Sequence, residues 1–387
     1  MKLFNNTKIA FSLKSDSDLE RAFFLFKLIQ SQPMVKIGTA VTNFALKAHL
    51  PVEGLIRSTV FDHFCGGVTE EDCIHNIENM HSNGVYSVLD YSVEGKETEE
   101  QFDIVKAKTL KNIEFAKKND SIPFVVFKPT GVGRFSLYQK ITEKKSLTNE
   151  EKSEWITVMN RYYEICDKAK KYDVPILIDA EESWMQDAAD ELIESLMQKY
   201  NVNKAIVFNT LQMYRHDRME YLRELHQKAL KGNYHIGLKI VRGAYMEKER
   251  ERAKENKYPS PICIDKNATD KNFNDAIKFM MEQDKMALFA GTHNEDSSYF
   301  LLDLAKRYNI TPKDNRLWFG QLYGMSDHIS FNLAKEGYNT AKYVPFGPVR
   351  DVMPYLIRRA EENTSVAGQT NRELNLIKEE RARRKLE

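Results

Sequence analysis

No stretch of the chain reaches the roughly 18 uninterrupted apolar residues that a membrane-spanning helix needs. The most apolar early segment, RAFFLFKLIQSQPMVKIGTAVTNFALKAHL, is broken by Lys27, Gln30, Gln32, Pro33 and Lys36. It reads as two amphipathic helices packed on a neighbour, with contact to a membrane surface as the alternative. The opening residues hold no continuous apolar h-region and no small-residue cleavage site, so no signal peptide is expected. Cysteine is scarce as well. The four thiols, Cys65, Cys73, Cys166 and Cys263, are far apart and form no Cys-x-x-Cys pair. That argues against a disulfide scaffold and for reduced thiols in a cytosolic setting. Excess charge of one sign is missing: 57 Lys and Arg nearly balance 56 Asp and Glu, which gives no support to a nucleic-acid partner. There is no H-E-x-x-H, and the nine histidines show no paired ligand spacing, so no metal is expected. A phosphate loop is lacking too. GVGRF at Gly131 places Ser136 where the third glycine of G-x-G-x-x-G belongs, so that signal fails.

What is present is alternation. Short apolar runs recur at 85–91, 123–129, 174–182, 204–210, 235–243, 286–293, 316–324 and 341–347. Each is rich in branched or aromatic residues and ends in a polar or glycine turn signal, the pattern of strands buried in a parallel sheet. Amphipathic helical patterns lie between them, one opened by a Thr-x-x-Gln capping box at Thr98 and Gln101. The interval at 326–337 is short enough to hold only a brief helix. Eight strand–helix alternations in 387 residues predict a (β/α)8 TIM-type barrel over residues 76–364. Residues 1–75 form an N-terminal helical arm, and 365–387 a charged tail, read as a solvated helix or frayed end.

A barrel of this type does its chemistry where its strands end. The exits carry Asp90 and Tyr91, Lys128, Asp179 with Glu181 and Glu182, Gln212, Arg242, His293, Gln321 and Tyr343. Strands that finish at water need polar ends, so one such residue means little; the whole set is harder to dismiss. In LKIVRGAY, Lys239 and Arg242 fall on opposite strand faces. Each cation needs an anion inside an apolar strand. A phosphate or flavin neighbour would serve, and so would two local ion pairs. Gly243 allows close approach of a ligand to the backbone. Thr292, His293 and Asn294 precede a helix whose first N–H groups suit an anion, although a lone histidine there is more often structural. In YLIRRAEENTS, Tyr355, Arg358 or Arg359, and Glu362 share a helix face. Two guanidiniums suit a carboxylate; an ordinary Arg358–Glu362 surface pair is the bland alternative.

YVPFGPVRDVMPYLIRRAEEN resembles the C-terminal signature of the proline dehydrogenase family. KIVRGAYMEKER, LIDAEES, LQMY, THN and VFKPTG match its other blocks in the family's order, over most of residues 60–365. The resemblance implies a monofunctional enzyme that binds FAD without a Rossmann fold. It implies oxidation of L-proline to Δ1-pyrroline-5-carboxylate, the first step of proline catabolism to glutamate, with electrons passing to a membrane quinone. By the same resemblance Arg358 and Arg359 hold the substrate carboxylate, with Lys128 a further cation. Tyr343 and Tyr355 wall the ring, and Glu362 orients the site. Asp179, Lys239 and Lys128 are the catalytic candidates. Ala180, Gln212, Lys239, Arg242, Gly243, Ala244, Thr292, His293 and Asn294 are the FAD-binding ones. Family members acting on hydroxyproline carry a smaller residue at the Tyr343 position, so tyrosine favours proline. The order Lys239-x-x-Arg242 resembles mitochondrial members, since many bacterial ones swap the two, and Met246 replaces an aromatic residue common in bacteria. The aldehyde-dehydrogenase domain of bifunctional members has no counterpart here, so a separate pyrroline-5-carboxylate dehydrogenase is expected downstream. The expected location is cytoplasmic, with the inner face of the membrane as a docking option. Three alternatives stand: a hydroxyproline dehydrogenase, a Schiff-base lyase or aldolase using Lys128 beside Asp179, and a non-catalytic scaffold.

Overall fold

A computed structural model describes residues 2–47, 53–93, 97–365 and 367–386; several side chains within 32–58 and 360–369, including that of Glu362, lie outside the description. Eight strands are formed: β1 Val85–Tyr91, β2 Phe124–Phe127, β3 Ile176–Ile178, β4 Val207–Gln212, β5 Ile236–Val241, β6 Met286–Gly291, β7 Leu317–Leu322 and β8 Thr340–Phe346. They close into a barrel in sequence order, and each overlaps one of the eight apolar runs. Nearly every strand residue is buried, because a parallel sheet covered on both faces leaves no solvated side.

Helices follow the strands in turn: Glu99–Lys117, Asn149–Tyr172, Ser183–Tyr200, Arg218–Gly232, Lys266–Glu282, Glu295–Arg307, Asp327–Lys335 and Val349–Ser365. Local chemistry sets their ends. Thr148 and Glu151 form a reciprocal capping box, and the Thr98 hydroxyl accepts from the Gln101 N–H. Two further helices, Phe135–Thr142 and Met246–Glu255, escaped the sequence pattern. The second reads MEKERERAKE and buries only Glu249 and Ala253. Without an apolar stripe, helical periodicity had nothing to mark.

The chain divides into two compact units. One holds residues up to 95 together with 293–295 and 320 onward; the other holds 96–292 and 296–319. In the first, the helix Asp16–Ile29 opens with a Ser15–Asp18 capping box and buries Leu19, Ala22, Leu25, Phe26 and Ile29. The charge-dense end is not a frayed tail. It is a helix, Ala367–Arg384, whose Leu374, Leu376 and Ile377 join Leu19, Ala22 and Phe26 in one apolar cluster. Its arginines pair across the sequence, Arg381 with Glu20 at 2.6 Å and Arg384 with Asp16 at 2.9 Å. Composition hid this packing, because three apolar side chains among so many charges make a narrow stripe. The helix Val349–Ser365 buries Val352, Met353, Tyr355 and Leu356 against Leu25, Ile29, Phe61 and Phe64.

Candidate active site

In the second unit the parallel register places strand exits distant in sequence side by side. Lys239, inside β5 and two residues before its end, is buried and its ammonium pairs with Asp179 just after β3. Arg242 finds a different anion: its Nε donates to Asp270 Oδ1 at 2.7 Å. Its other donors reach Thr292 Oγ1 at 2.8 Å and Ser297 Oγ at 2.9 Å, and Phe273 lies under the guanidinium at 4.5 Å. Burial draws the Arg242 pKa below its usual value, with Asp270 opposing. So each cation of LKIVRGAY has the ion pair that burial demands. Gly243 has φ +133, and a Cβ there would lie 2.5 Å from the Tyr214 ring; no other residue fits. Ala244 beyond it is exposed. Gln212, buried at the end of β4, donates to the Ala180 carbonyl at 3.3 Å, and its Oε1 has no protein partner.

Glu181 is a residue for which sequence reasoning found a place but no role. It is buried and accepts from Thr130 N at 2.9 Å and Thr130 Oγ1 at 2.6 Å. That fixes the turn after Lys128, which is half-buried. Burial, aided by neighbouring Glu182, pushes the Glu181 carboxyl up to about 7. The folded state therefore keeps a proton that the unfolded chain releases from its usual value of 4.5. Stability falls as pH rises across that window and levels off above it. Glu181→Gln is expected to flatten this limb and recover up to about 3 kcal/mol at pH 8 relative to pH 5. Urea unfolding at both pH values measures it; parallel losses in both proteins would refute the assignment. The unforeseen helix Met246–Glu255 also reaches this segment. Lys248 pairs with Glu182, and Glu249 accepts from Ser183 N and Oγ, both at 2.6 Å.

In the first unit, Tyr343 on β8 and Tyr355 on the helix Val349–Ser365 are both buried. The Arg359 guanidinium stands 5.3 Å from the Tyr355 ring centroid, as the spacing of four residues predicts. Arg358 and Arg359 are half-buried on the same helix. Glu362 belongs to that helix too, but its side chain is outside the described residues. His293 Nδ1 lies 3.0 Å from Ser326 Oγ. Lys342 was missed, although a lysine inside an apolar strand was the signal that singled out Lys239. It is 1% exposed, pairs with Asp327 Oδ1 at 2.8 Å and donates to the Met325 and Leu322 carbonyls.

A family model described as proline dehydrogenase matches residues 73–372. The chain belongs to the proline dehydrogenase family. It is therefore an oxidoreductase that acts on proline, which sets aside the lyase and scaffold readings. Relatives of comparable length match over most of the chain. A Pectobacterium carotovorum subsp. carotovorum protein named carbapenem antibiotics biosynthesis protein CarD is 34% identical over 352 residues, covering 90% of this chain and 91% of that one. Mitochondrial proline dehydrogenase 1 of Dictyostelium discoideum is 32% identical over 99% of this chain and 75% of its own. The Arabidopsis thaliana mitochondrial proline dehydrogenase 1 is also 32% identical, over 97% and 85%. Among solved structures, proline utilization A (PutA) from Bdellovibrio bacteriovorus, inactivated by N-propargylglycine, aligns with a TM-score of 0.70 at 20% identity, over 94% of this chain and 37% of that chain. That likeness speaks for the barrel fold; this chain spans little more than a third of PutA. Like the sequence, the structure holds no helix among the described residues that is long and apolar enough to cross a membrane.

Proposed function

We propose that the chain is an FAD-dependent proline dehydrogenase that converts L-proline to Δ1-pyrroline-5-carboxylate, the opening step of proline breakdown to glutamate. The observation that carries this reading is the Arg359 guanidinium held over the Tyr355 ring, next to Arg358. Proline is a zwitterion with an apolar ring. Its carboxylate asks for fork-shaped cations and its ring for aromatic walls. Arg358 and Arg359 hold the carboxylate, Tyr343 and Tyr355 pack on the ring, and Glu362 orients the arginines.

The residues of the second unit fit a flavin. Gln212 has a buried acceptor without a protein partner, and Gly243 with exposed Ala244 offers bare backbone. Ala180, Gln212, Lys239, Arg242, Gly243, Ala244 and Thr292, with His293 and Asn294, would hold FAD. When bound, FAD supplies the acceptor for the hydride leaving the carbon next to the ring nitrogen. Lys239, held in place by its ion pair with Asp179, would stabilise negative charge gained by the flavin on reduction. Lys128 and the arginines lower the pKa of the substrate amine, so that it is neutral when the hydride departs. Arg242 acts by fixing Thr292, since its donors are taken up within the protein. Electrons pass on to a membrane quinone, and the product to a separate pyrroline-5-carboxylate dehydrogenase. The enzyme works in the cytoplasm, peripheral to the inner face of the membrane.

The purified protein is expected to be yellow and to be bleached by L-proline without oxygen. An unchanged spectrum with both proline and hydroxyproline would refute the proposal. Tyr343→Ser opens space at the ring wall. It is expected to shift the kcat/KM ratio toward hydroxyproline about tenfold or more, the scale of one steric contact in a pocket. An unchanged ratio would remove Tyr343 from the ring wall.

A further inference from the structure

Residues 293–295 fold with the first unit, to which the C-terminal helix Ala367–Arg384 also belongs, and not with the β6 strand that precedes them. Two adjacent residues of that helix bond to this segment and to its neighbour Ser326. Arg372 Nε donates to Glu295 Oε1 at 2.6 Å, and its other arm to Asn5 Oδ1 at 2.6 Å. Glu373, 3% exposed, accepts the backbone N–H of Ser326. Ser326 is fully buried and sits at φ 52, ψ 39, a left-handed conformation that side chains other than Gly, Asn and Asp adopt only when held. Serine is a favoured helix N-cap through its hydroxyl, yet Ser326 makes no side-chain cap. Its hydroxyl meets His293 Nδ1 instead, at 3.0 Å. Glu295 is fixed on its other side by His328 Nε2 at 3.0 Å. Burial opposes its charge, but His328 and Arg372 hold the carboxyl down to about 2.

We propose that Arg372 and Glu373 are positioning residues for His293: from the C-terminal helix they clamp the His293–Glu295 turn, Arg372 through Glu295 and Glu373 through Ser326. The clamp presents one ring orientation of His293 to the cofactor, and in that part it rests on the FAD reading above. The signal in the sequence was slight, an Arg-Glu pair in a charge-dense end.

The test uses the full-length holoenzyme labelled with 15N-histidine, the His293 signal being assigned by its loss in His293→Asn. Glu373→Gln keeps an acceptor and the shape but loses the charge. It is expected to move the His293 ring nitrogen resonances and to raise the FAD dissociation constant about tenfold. The KM for proline is expected to stay within about twofold, because no substrate contact is lost. Arg372→Met, which releases the other grip, is read in the same way. Ile377→Ala, in the apolar face of the same helix, is the control: it lowers the melting temperature but leaves both the His293 signal and FAD affinity unchanged. An unmoved His293 signal in Glu373→Gln and Arg372→Met overturns the clamp, as does an equal shift in the Ile377→Ala control. If His293 moves while FAD affinity does not, the clamp stands and the contact of His293 with FAD falls.

Discussion

Arg358→Met is expected to raise the KM for L-proline about a hundredfold while FAD stays bound. Removing one fork of a charge-assisted pair that grips a carboxylate costs about 3 kcal/mol, and each 1.4 kcal/mol is a factor of about ten. In the proposed site the carboxylate would be gripped equally before and during hydride loss. Its cation therefore contributes uniform binding, and the loss falls on KM more than on kcat. Met keeps the length and apolar stem of the side chain but offers no donor. Arg358→Lys is expected to recover only part of the loss, since an ammonium cannot reproduce the planar fork. Steady-state kinetics with flavin absorbance measured on the same samples decide the matter. Loss of flavin with an unchanged KM would place Arg358 at the cofactor instead of the substrate.

The largest loss of stability is expected from Lys342→Met, about 3–5 kcal/mol in urea unfolding. Lys342 lies inside β8 and is paired with Asp327. Burial pulls its pKa below the usual lysine value, and Asp327 opposes that pull. An ammonium that donates to a carboxylate and to two carbonyls is in its charged form, which is the state the geometry serves. Removing the cation leaves Asp327 buried with Lys14, at 3.4 Å, as its remaining ion pair among the described residues. For Asp327, burial raises the carboxyl pKa, but Lys342 and Lys14 win and hold it far below the usual range. A depressed carboxyl contributes stability that is complete above the ordinary value of about 4 and is lost as pH falls below it. The wild-type protein should therefore lose stability on acidification more steeply than Lys342→Met. The double change Lys342→Met with Asp327→Leu is expected to regain most of the loss, because an apolar pair of similar volume needs no desolvation. A double variant as unstable as the single one would show that Lys342 acts through packing alone.

These two residues mark how far the sequence could be read. Short, near-continuous apolar runs alternating with amphipathic helical patterns located all eight strands and their following helices, because strand and helix spacing are local properties. The double arginine, with a tyrosine three and four residues before it, was visible as a face for the same reason. The cations of LKIVRGAY announced that each needed an anion. Their partners were not readable: Asp179 lies sixty residues before Lys239, just after another strand, while Asp270 serves Arg242 from a helix. Glu181 looked like one more polar strand end, and its burial against Thr130 is a tertiary fact. The helix Met246–Glu255 and the packing of the C-terminal helix were missed because charge outnumbers apolar residues in both. The first carries no apolar stripe to reveal it, and the second only a narrow one.

Local periodicity was thus enough to predict the barrel, and the resemblance of the quoted blocks to predict the family. Which cation meets which anion, which carboxyl holds a proton near neutrality, and what steadies His293 follow from the folded chain. Those properties depend on burial and on pairs far apart in sequence, and desolvation has no value until the neighbours that exclude water are in place.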